Sequence, residues 1–283
     1  MGAAHAFFAS DLHGRVARYE KLLAAVFAEE PGALFLGGDI LPTPFAAGGA
    51  DFVDSFLIPR FLETRRRLGR RAPRVFLIPG NDDPRSEEPR LAAGESEGAW
   101  ELVHGRKTTW QSRTVLGYAC VPPTPFLLKD WERYDVSRFV DPGCVSPEEG
   151  WRTVPVSESE ARLATIADDL ERLATGEDLG QAIVLFHAPP YRTNLDRAAL
   201  DGQSVDHAPV DVHIGSVAIR RFIEARQPLL TLHGHVHESA RLTGSFRERI
   251  GRTHCLSAAH DGPELALVRF DPAAPDAAMR ELL

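Results

Sequence analysis

Carboxylate, amide and imidazole groups recur in one kind of place in this chain, just after short apolar runs. Asp11-Leu12-His13 follows AFFAS, Gly38-Asp39 follows ALFLG, and Gly80-Asn81-Asp82-Asp83 follows RVFLIP. His187 closes IVLF, and His233-Gly234-His235-Val236-His237 closes PLLTL. Oxygen and nitrogen donors of this kind are the usual ligands of Mn, Fe and Zn. Each piece alone is ordinary. An aspartate after a strand caps the next helix, Asn-Asp-Pro makes turns, and a lone histidine packs in a core. Arriving together at the ends of five apolar runs, they point to a site for one or two transition-metal ions. In open α/β sheets, ligands bind at the carboxyl ends of strands.

The elements that must position these groups are legible from periodicity. AHAFFAS (4–10), ALFLGGD (33–39) and RVFLIPG (74–80) read as strands. Between them, VARYEKLLAAVFAEE (16–30) places Val16, Tyr19, Leu22, Leu23, Val26 and Phe27 on one helical face. DFVDSFLIPRFLETRRRLG (51–69) reads as a helix bent or broken at Pro59. This βαβαβ order, with near-continuous apolar strands, predicts a largely parallel sheet covered on both faces. Residues 100–121 are short β-type segments, expected as a meander at one side of that sheet. Further on we expect a helix over 158–174, a strand at 181–187, a helix over 216–227 capped by Ser216, and a strand at 228–237. Two β-like segments follow, at 254–260 and 265–271.

No internal repeat or convincing linker divides the 283 residues, so we expect one domain over 1–283. The Pro-rich segment at about 122–156 is too long and irregular for a plain connection. With segment 191–213 it is expected to rim the active site. Trp131 and Trp151 within it are expected to pack in a small satellite core.

Composition excludes several classes. A net charge of −8 disfavours long duplex nucleic acid and anionic membrane surfaces, which are bound by clustered Lys and Arg. The arginines of TRRRLGRR (64–71) read as the solvated end of a helix and the loop after it, with a phosphate-binding patch as the minor alternative. No apolar stretch approaches the ~18 residues of a membrane span. The N-terminal MGAAHAFFAS lacks the basic region of a signal peptide and the Ser or Thr of a myristoylation signal. Cys120, Cys144 and Cys255 are widely spaced and form no disulfide framework or zinc motif, so we expect reduced thiols and a cytoplasmic location. Nothing in the sequence sets an oligomeric state.

The series DLH (11–13), GGD (37–39), GND (80–82), FH (186–187) and GHVH (234–237) resembles the calcineurin-like metallophosphoesterases. Their pattern runs D-x-H, G-D, G-N-H-[DE], H and G-H-x-H. FHAPPYRTNLD (186–196) further resembles the Icc-related bacterial and archaeal branch. The resemblance implies an α/β fold, a four-layered α/β/β/α sandwich with mixed sheets. It implies two divalent or trivalent ions, Mn first, with Fe, Zn or Ni as alternatives. Asp11, His13, Asp39 and His237 would hold one ion. Asp39, Asn81, His187 and His235 would hold the other, with the Asp39 carboxylate bridging. His233 takes no motif role and is expected in the core.

The implied activity is phosphoester hydrolysis by a metal-bridging hydroxide attacking phosphorus. The substrate class is a small phosphoester, nucleotide-like ones included. This chain departs from the pattern at Asp82, where the family has a histidine beside the leaving group. An ordinary carboxylate is ionised at neutral pH and cannot donate a proton. It would repel a phosphomonoester dianion more than a diester monoanion, so a preference for diesters, or for substrates whose leaving group needs little protonation, is expected. His207 and His213 are the candidates to contact substrate or serve the leaving group instead. Asp83 matches the acidic residue that follows and is expected behind the ligands. A phosphomonoesterase or nucleotide phosphatase is the alternative on the same site. A silent scaffold is a third reading, weakened because every ligand position is filled.

Overall fold

The computed structural model describes residues 5–43 and 51–283. Residue 4, where the first strand is expected to begin, lies outside the described residues. The first sheet is built from β1 (Ala6–Ala9), β2 (Ala33–Gly37), β3 (Arg74–Ile78) and β4 (Glu101–Leu102), with β13 (Ala266–Phe270) and β14 (Met279–Leu282). Its order is β14-β13-β1-β2-β3-β4, parallel from β1 to β4 and antiparallel at β13 and β14. The second sheet holds β5 (Lys107–Trp110), β6 (Arg113–Tyr118), β7 (Ile183–Phe186), β10 (Leu230–His233), β11 (Arg247–Ile250) and β12 (Thr253–Ser257). Its order is β11-β12-β10-β7-β6-β5, parallel from β6 through β7 and β10 to β12. A short hairpin, β8 (Ser204–Val205) with β9 (Ala208–Pro209), stands apart.

Side-chain alternation along each strand explains the layering. Phe7, Ala9, Leu34, Leu36, Val75 and Leu77 face one core, shared with α1 (Val16–Glu29), α2 (Ile58–Leu68) and α3 (Glu88–Glu97). Ala6, Phe8, Ala33, Phe35, Phe76 and Ile78 face the other way and meet Val115, Ile183 and Leu232 of the second sheet. That second core also takes in Leu170 of α5 (Ile166–Ala174) and Phe222 of α6 (Val217–Arg226). Helices, sheet, sheet and helices therefore stack in four layers, as expected, and both faces of the strands are apolar for that reason.

The structure corrects several sequence expectations. The run 158–174 is two helices, α4 (Glu158–Leu163) and α5, because Thr165 is extended and its hydroxyl accepts the Asp168 amide. Ile166 N–H also donates to the Tyr134 carbonyl, so tertiary pairing wins over helix continuation. Residues 100–121 cross between sheets and do not pair at one side: β4 adds to the first, β5 and β6 to the second. The bend expected at Pro59 is a π-helical turn over Val53–Leu57 that runs into α2. The 3-10 turn after α2 leaves Arg70 and Arg71 exposed, as expected for a solvated end. Ser216 caps α6 by accepting the Ile219 amide, as expected. Helix α3, strand β14, the β8–β9 hairpin and α7 (Ser239–Thr243) have no counterpart in the sequence reading.

Segment 122–156 carries neither helix nor regular strand, yet it is tied down. Val121 bridges Glu132, and Leu128 bridges Trp151. Its Asp135 accepts the Ser216 hydroxyl and the Val217 amide at the start of α6. Trp131 is buried in the inter-sheet core and not in a satellite one, while Trp151 is 39% exposed. No described helix is long and apolar enough to cross a membrane.

Candidate metal centre

Five parallel strands from two sheets end at one edge, and each delivers donors there. β1 delivers Asp11 and His13, β2 delivers Asp39, and β3 delivers Asn81. From the second sheet β7 delivers His187, and β10 delivers His235 and His237. Backbone bonds lock the loops to one another. Asp11 N–H donates to Gly38 O at 2.9 Å, and His13 N–H to Asp39 O at 2.7 Å. Gly234 N–H donates to His187 O at 2.9 Å, and His235 N–H crosses between sheets to Asp11 Oδ1 at 3.0 Å. Asp11, His13, Asp39 and His235 all have positive φ, between 48° and 72°. Non-glycine residues rarely adopt this conformation, and such strain concentrates at functional sites.

Asp11, His13, Asp39 and His237 each offer one ligand atom, and these atoms lie within 4.8 Å of one another. His13 Nε2 is 3.2 Å from His237 Nε2 and 3.9 Å from Asp39 Oδ2. His237 Nε2 is 3.3 Å from Asp11 Oδ1. On the other side, His187 Nδ1 donates to Gly37 O at 2.8 Å, which leaves Nε2 with its lone pair. That nitrogen faces Asn81 Oδ1 at 3.0 Å and Asp39 Oδ2 at 3.3 Å. The His235 ring lies 5.2 Å, centroid to centroid, from that of His187. Asp39 thus belongs to both groups. A lone-pair nitrogen pointing at two lone-pair oxygens is stable only with a proton or a cation between them. Asp11 Oδ2 is likewise buried with no hydrogen-bond partner. The residues present fit a metal.

Electrostatics agree. Burial raises the Asp11 carboxyl, but the hydrogen bond and charge of His237 outweigh it and hold it well below the usual carboxylate range. At Asp39 burial is outweighed by His187 above all. Burial opposes the charged form of His187, yet Asp39 lifts it to about 10. Burial opposes His237 as well, and its bond to Asp11 lifts it to about 9. Burial pushes His235 down to about 3 and lowers His13. Without metal, two buried carboxylates are balanced by protons on two imidazoles; a cation takes over that balance when it binds.

Glycines allow the close approach. A Cβ on Gly80 would lie 2.3 Å from Asp39 Oδ1 and 2.8 Å from His187 Cε1. A Cβ on Gly234 would lie 2.0 Å from Ser10 Oγ and 2.8 Å from Asp11 Oδ2. Gly80→Ala is therefore expected to weaken Mn²⁺ binding by about 10–100-fold, the scale seen when metal ligands lose their support. Titration of Mn²⁺ into variant protein with an unchanged circular dichroism spectrum checks this.

Asp82 sits beside the cluster with its side chain 34% exposed. Its amide donates to Asp39 Oδ1 at 2.8 Å, and Asn81 Nδ2 donates to its Oδ1 at 3.0 Å. Burial first, and the Asp39 charge second, push its carboxyl up to about 6, above the ordinary value expected. Asp83 lies behind the ligands, fully buried, and accepts the amides of Ile40, Leu41 and Gly80. It therefore clasps the Asp39 loop to the Asn81 loop. Trp131 Nε1 donates to the Asp83 carbonyl at 2.8 Å, and Asp130 accepts the Arg85 amide at 2.7 Å. Sequence reasoning placed Asp83 behind the ligands but missed its partners Ile40, Leu41 and Trp131 and the Asp130–Arg85 bond, which join residues more than 40 positions apart.

His233 is core, as expected: its ring bonds the Ala188 carbonyl and the Thr231 hydroxyl, and burial lowers it to about 4. The structure does not bring His207 or His213 into the cluster of ligand atoms. His207 is exposed at the tip of the β8–β9 hairpin. His213 is 28% exposed, with Nδ1 2.9 Å from the buried Asp196 carboxylate.

No curated protein matches the chain. TT1561 of Thermus thermophilus is similar in structure, at 18% identity over 98% of each chain with a TM-score of 0.55. Phosphopantetheinyl hydrolase (PptH) of Mycobacterium tuberculosis shares 13% identity over 90% of this chain and 89% of its own, TM-score 0.53. Another solved structure reaches a TM-score of 0.62 at 16% identity, covering 99% of this chain and 98% of its own. At these identities the likeness shows the fold alone. The sequence profile described as calcineurin-like phosphoesterase matches residues 5–239, and this chain belongs to that metal-dependent family of phosphoester hydrolases.

Proposed function

We propose that the protein is a dinuclear metal-dependent phosphoester hydrolase that favours phosphodiesters. The observation that carries the reading is the convergence of seven donors from five strand ends, with Asp39 shared by two groups. Asp11, His13, Asp39 and His237 would hold one ion, and Asp39, Asn81, His187 and His235 the other. Two such ions, when bound, supply Lewis acidity and lower the pKa of water. Mn is the ion proposed, because the donor set mixes carboxylate, amide oxygen and imidazole.

The chain's own residues shape the rest. The Asn81 amide donates an oxygen without adding negative charge beside an anionic substrate. Asp82 places a carboxylate at the mouth of the site, which repels a dianionic monoester more than a monoanionic diester. The segment 122–156 is proposed to rim the site within one domain, and the substrate to be small and nucleotide-like. The free thiols Cys120, Cys144 and Cys255 support a cytoplasmic location.

With Mn²⁺, purified protein is expected to cleave bis-p-nitrophenyl phosphate at least about tenfold faster than p-nitrophenyl phosphate. That factor corresponds to about 1.4 kcal/mol in the barrier. The opposite order would turn the reading to a phosphomonoesterase. No bound metal and no rescue on adding metal would leave a scaffold.

A further inference from the structure

We propose that Asp82 is the positioning partner of His13, a carboxylate that holds the imidazole in register for the metal. This rests on the dinuclear reading above. His13 turns Nε2 into the ligand cluster, toward His237 Nε2 and Asp39 Oδ2. A neutral imidazole that ligates through Nε2 carries its proton on Nδ1. In the structure His13 Nδ1 is buried and has no hydrogen-bond partner. Buried donors in folded proteins find acceptors, so this one needs an account. Asp82 Oδ2 lies 3.7 Å away.

Asp82 is anchored for the task. Its amide is bonded to Asp39 Oδ1, and its Oδ1 takes the Asn81 amide. Oδ2 faces His13. The terminal torsion of an aspartate is broad, so a small rotation of the whole carboxylate, with Oδ1 shifting on the Asn81 amide, brings Oδ2 to hydrogen-bond distance of Nδ1. The result is a carboxylate–histidine–metal relay. The carboxylate fixes the tautomer and ring orientation and raises the basicity of the ligating nitrogen. Asn81 and His13, ligands proposed for different ions, are then joined through one residue. Asp82 thus acts on the ion and not on the leaving group.

Calorimetric titration of Mn²⁺ into metal-free protein tests this, on wild type, Asp82→Ala, Asp82→Asn and His13→Ala, and on His13→Ala combined with Asp82→Ala. Asp82→Ala is expected to weaken one of the two ions by about 10–100-fold and leave the other unchanged. Asp82→Asn, which keeps one oxygen to accept the Nδ1 proton but gives up the Asn81 contact, is expected to lose less. In the His13→Ala background the Asp82→Ala effect is expected to vanish. Equal affinities for wild type and Asp82→Ala overturn the proposal while leaving the hydrolase reading intact. So does a loss shared by both ions that persists without His13, since that is plain charge attraction. A wild type that binds no Mn²⁺ overturns both.

Discussion

Asp39→Asn is expected to lower phosphodiester hydrolysis with Mn²⁺ by at least about a thousandfold, because it is the one residue common to both donor groups. Removing a single preorganised electrostatic contact in other enzymes costs about 10²–10³ in kcat. In the dinuclear site proposed above, one substitution removes charge from two ions at once. Asp39 Oδ2 is 3.3 Å from His187 Nε2 and 3.9 Å from His13 Nε2, between the two donor groups. The fold itself should survive. Asn keeps an oxygen to accept the Asp82 amide, and the Asp39 loop is still clasped by Asp83 through Ile40 and Leu41. Thermal melts separate the two effects. A metal present at a thousandfold excess over its Kd stabilises the native state by about 4 kcal/mol. For a chain of this size that is roughly 8–16 °C. Wild type is expected to show such a rise with Mn²⁺. Asp39→Asn is expected to melt close to metal-free wild type and to show little rise. A variant that keeps the metal-dependent rise, or most of its turnover, would remove Asp39 from the bridging position.

The donors were legible in the sequence because their chemistry is local. A carboxylate or imidazole after an apolar run is visible without knowing where the run goes, and the five runs ending at one edge are β1, β2, β3, β7 and β10. Much of the sheet order was not legible. Residues 101–102 and 107–118 look alike as β-type sequence, but they join different sheets, a choice made by long-range packing. Helix α3 buries only Leu91 and Gly94, so EPRLAAGESE carries almost no apolar stripe; its seat is the Trp100 ring against Gly94. Strand β14 is an edge whose residues are mostly exposed, so it has little pattern to read. The break at Thr165 was hidden because a hydroxyl that caps one helix looks in sequence like any residue inside another. Which ring nitrogen of each histidine faces the ligand cluster also lay beyond the sequence. It follows from contacts such as His187 Nδ1 with Gly37 O, across 150 residues.

Lys129→Met is expected to destabilise the protein by about 3–5 kcal/mol, the cost of leaving one buried ion without its partner. That is roughly 6–20 °C in Tm for a chain of this size. Both side chains of the Lys129–Glu132 pair are fully buried, with Nζ 2.6 Å from Glu132 Oε2. The ammonium also donates to the Thr124 carbonyl, and Glu132 accepts the Thr124 amide and hydroxyl. The pair therefore closes a turn inside segment 122–156, whose Asp130 and Trp131 hold the loop that carries Asn81. Burial pushes the Glu132 carboxyl up to about 7 against the pull of Lys129. A carboxyl raised in the folded state binds more protons there than unfolded, so stability falls as pH rises from about 4.5 through 7. Without Lys129 the carboxyl rises further and the fall extends to higher pH. The Tm difference between variant and wild type is thus expected to be largest near pH 8 and much smaller near pH 5.5. Adding Glu132→Gln to Lys129→Met removes the uncompensated charge while keeping an acceptor for Thr124, and is expected to recover most of the loss at pH 8. Turnover measured well below the melting transition should fall in Lys129→Met and return in the double variant, since the Asn81 loop is held by the same segment. The stem of Lys129 lies against Gly150. A pH-independent Tm difference, or a double variant no more stable than the single one, would show that lost packing of that stem, and not the buried charge, sets the cost.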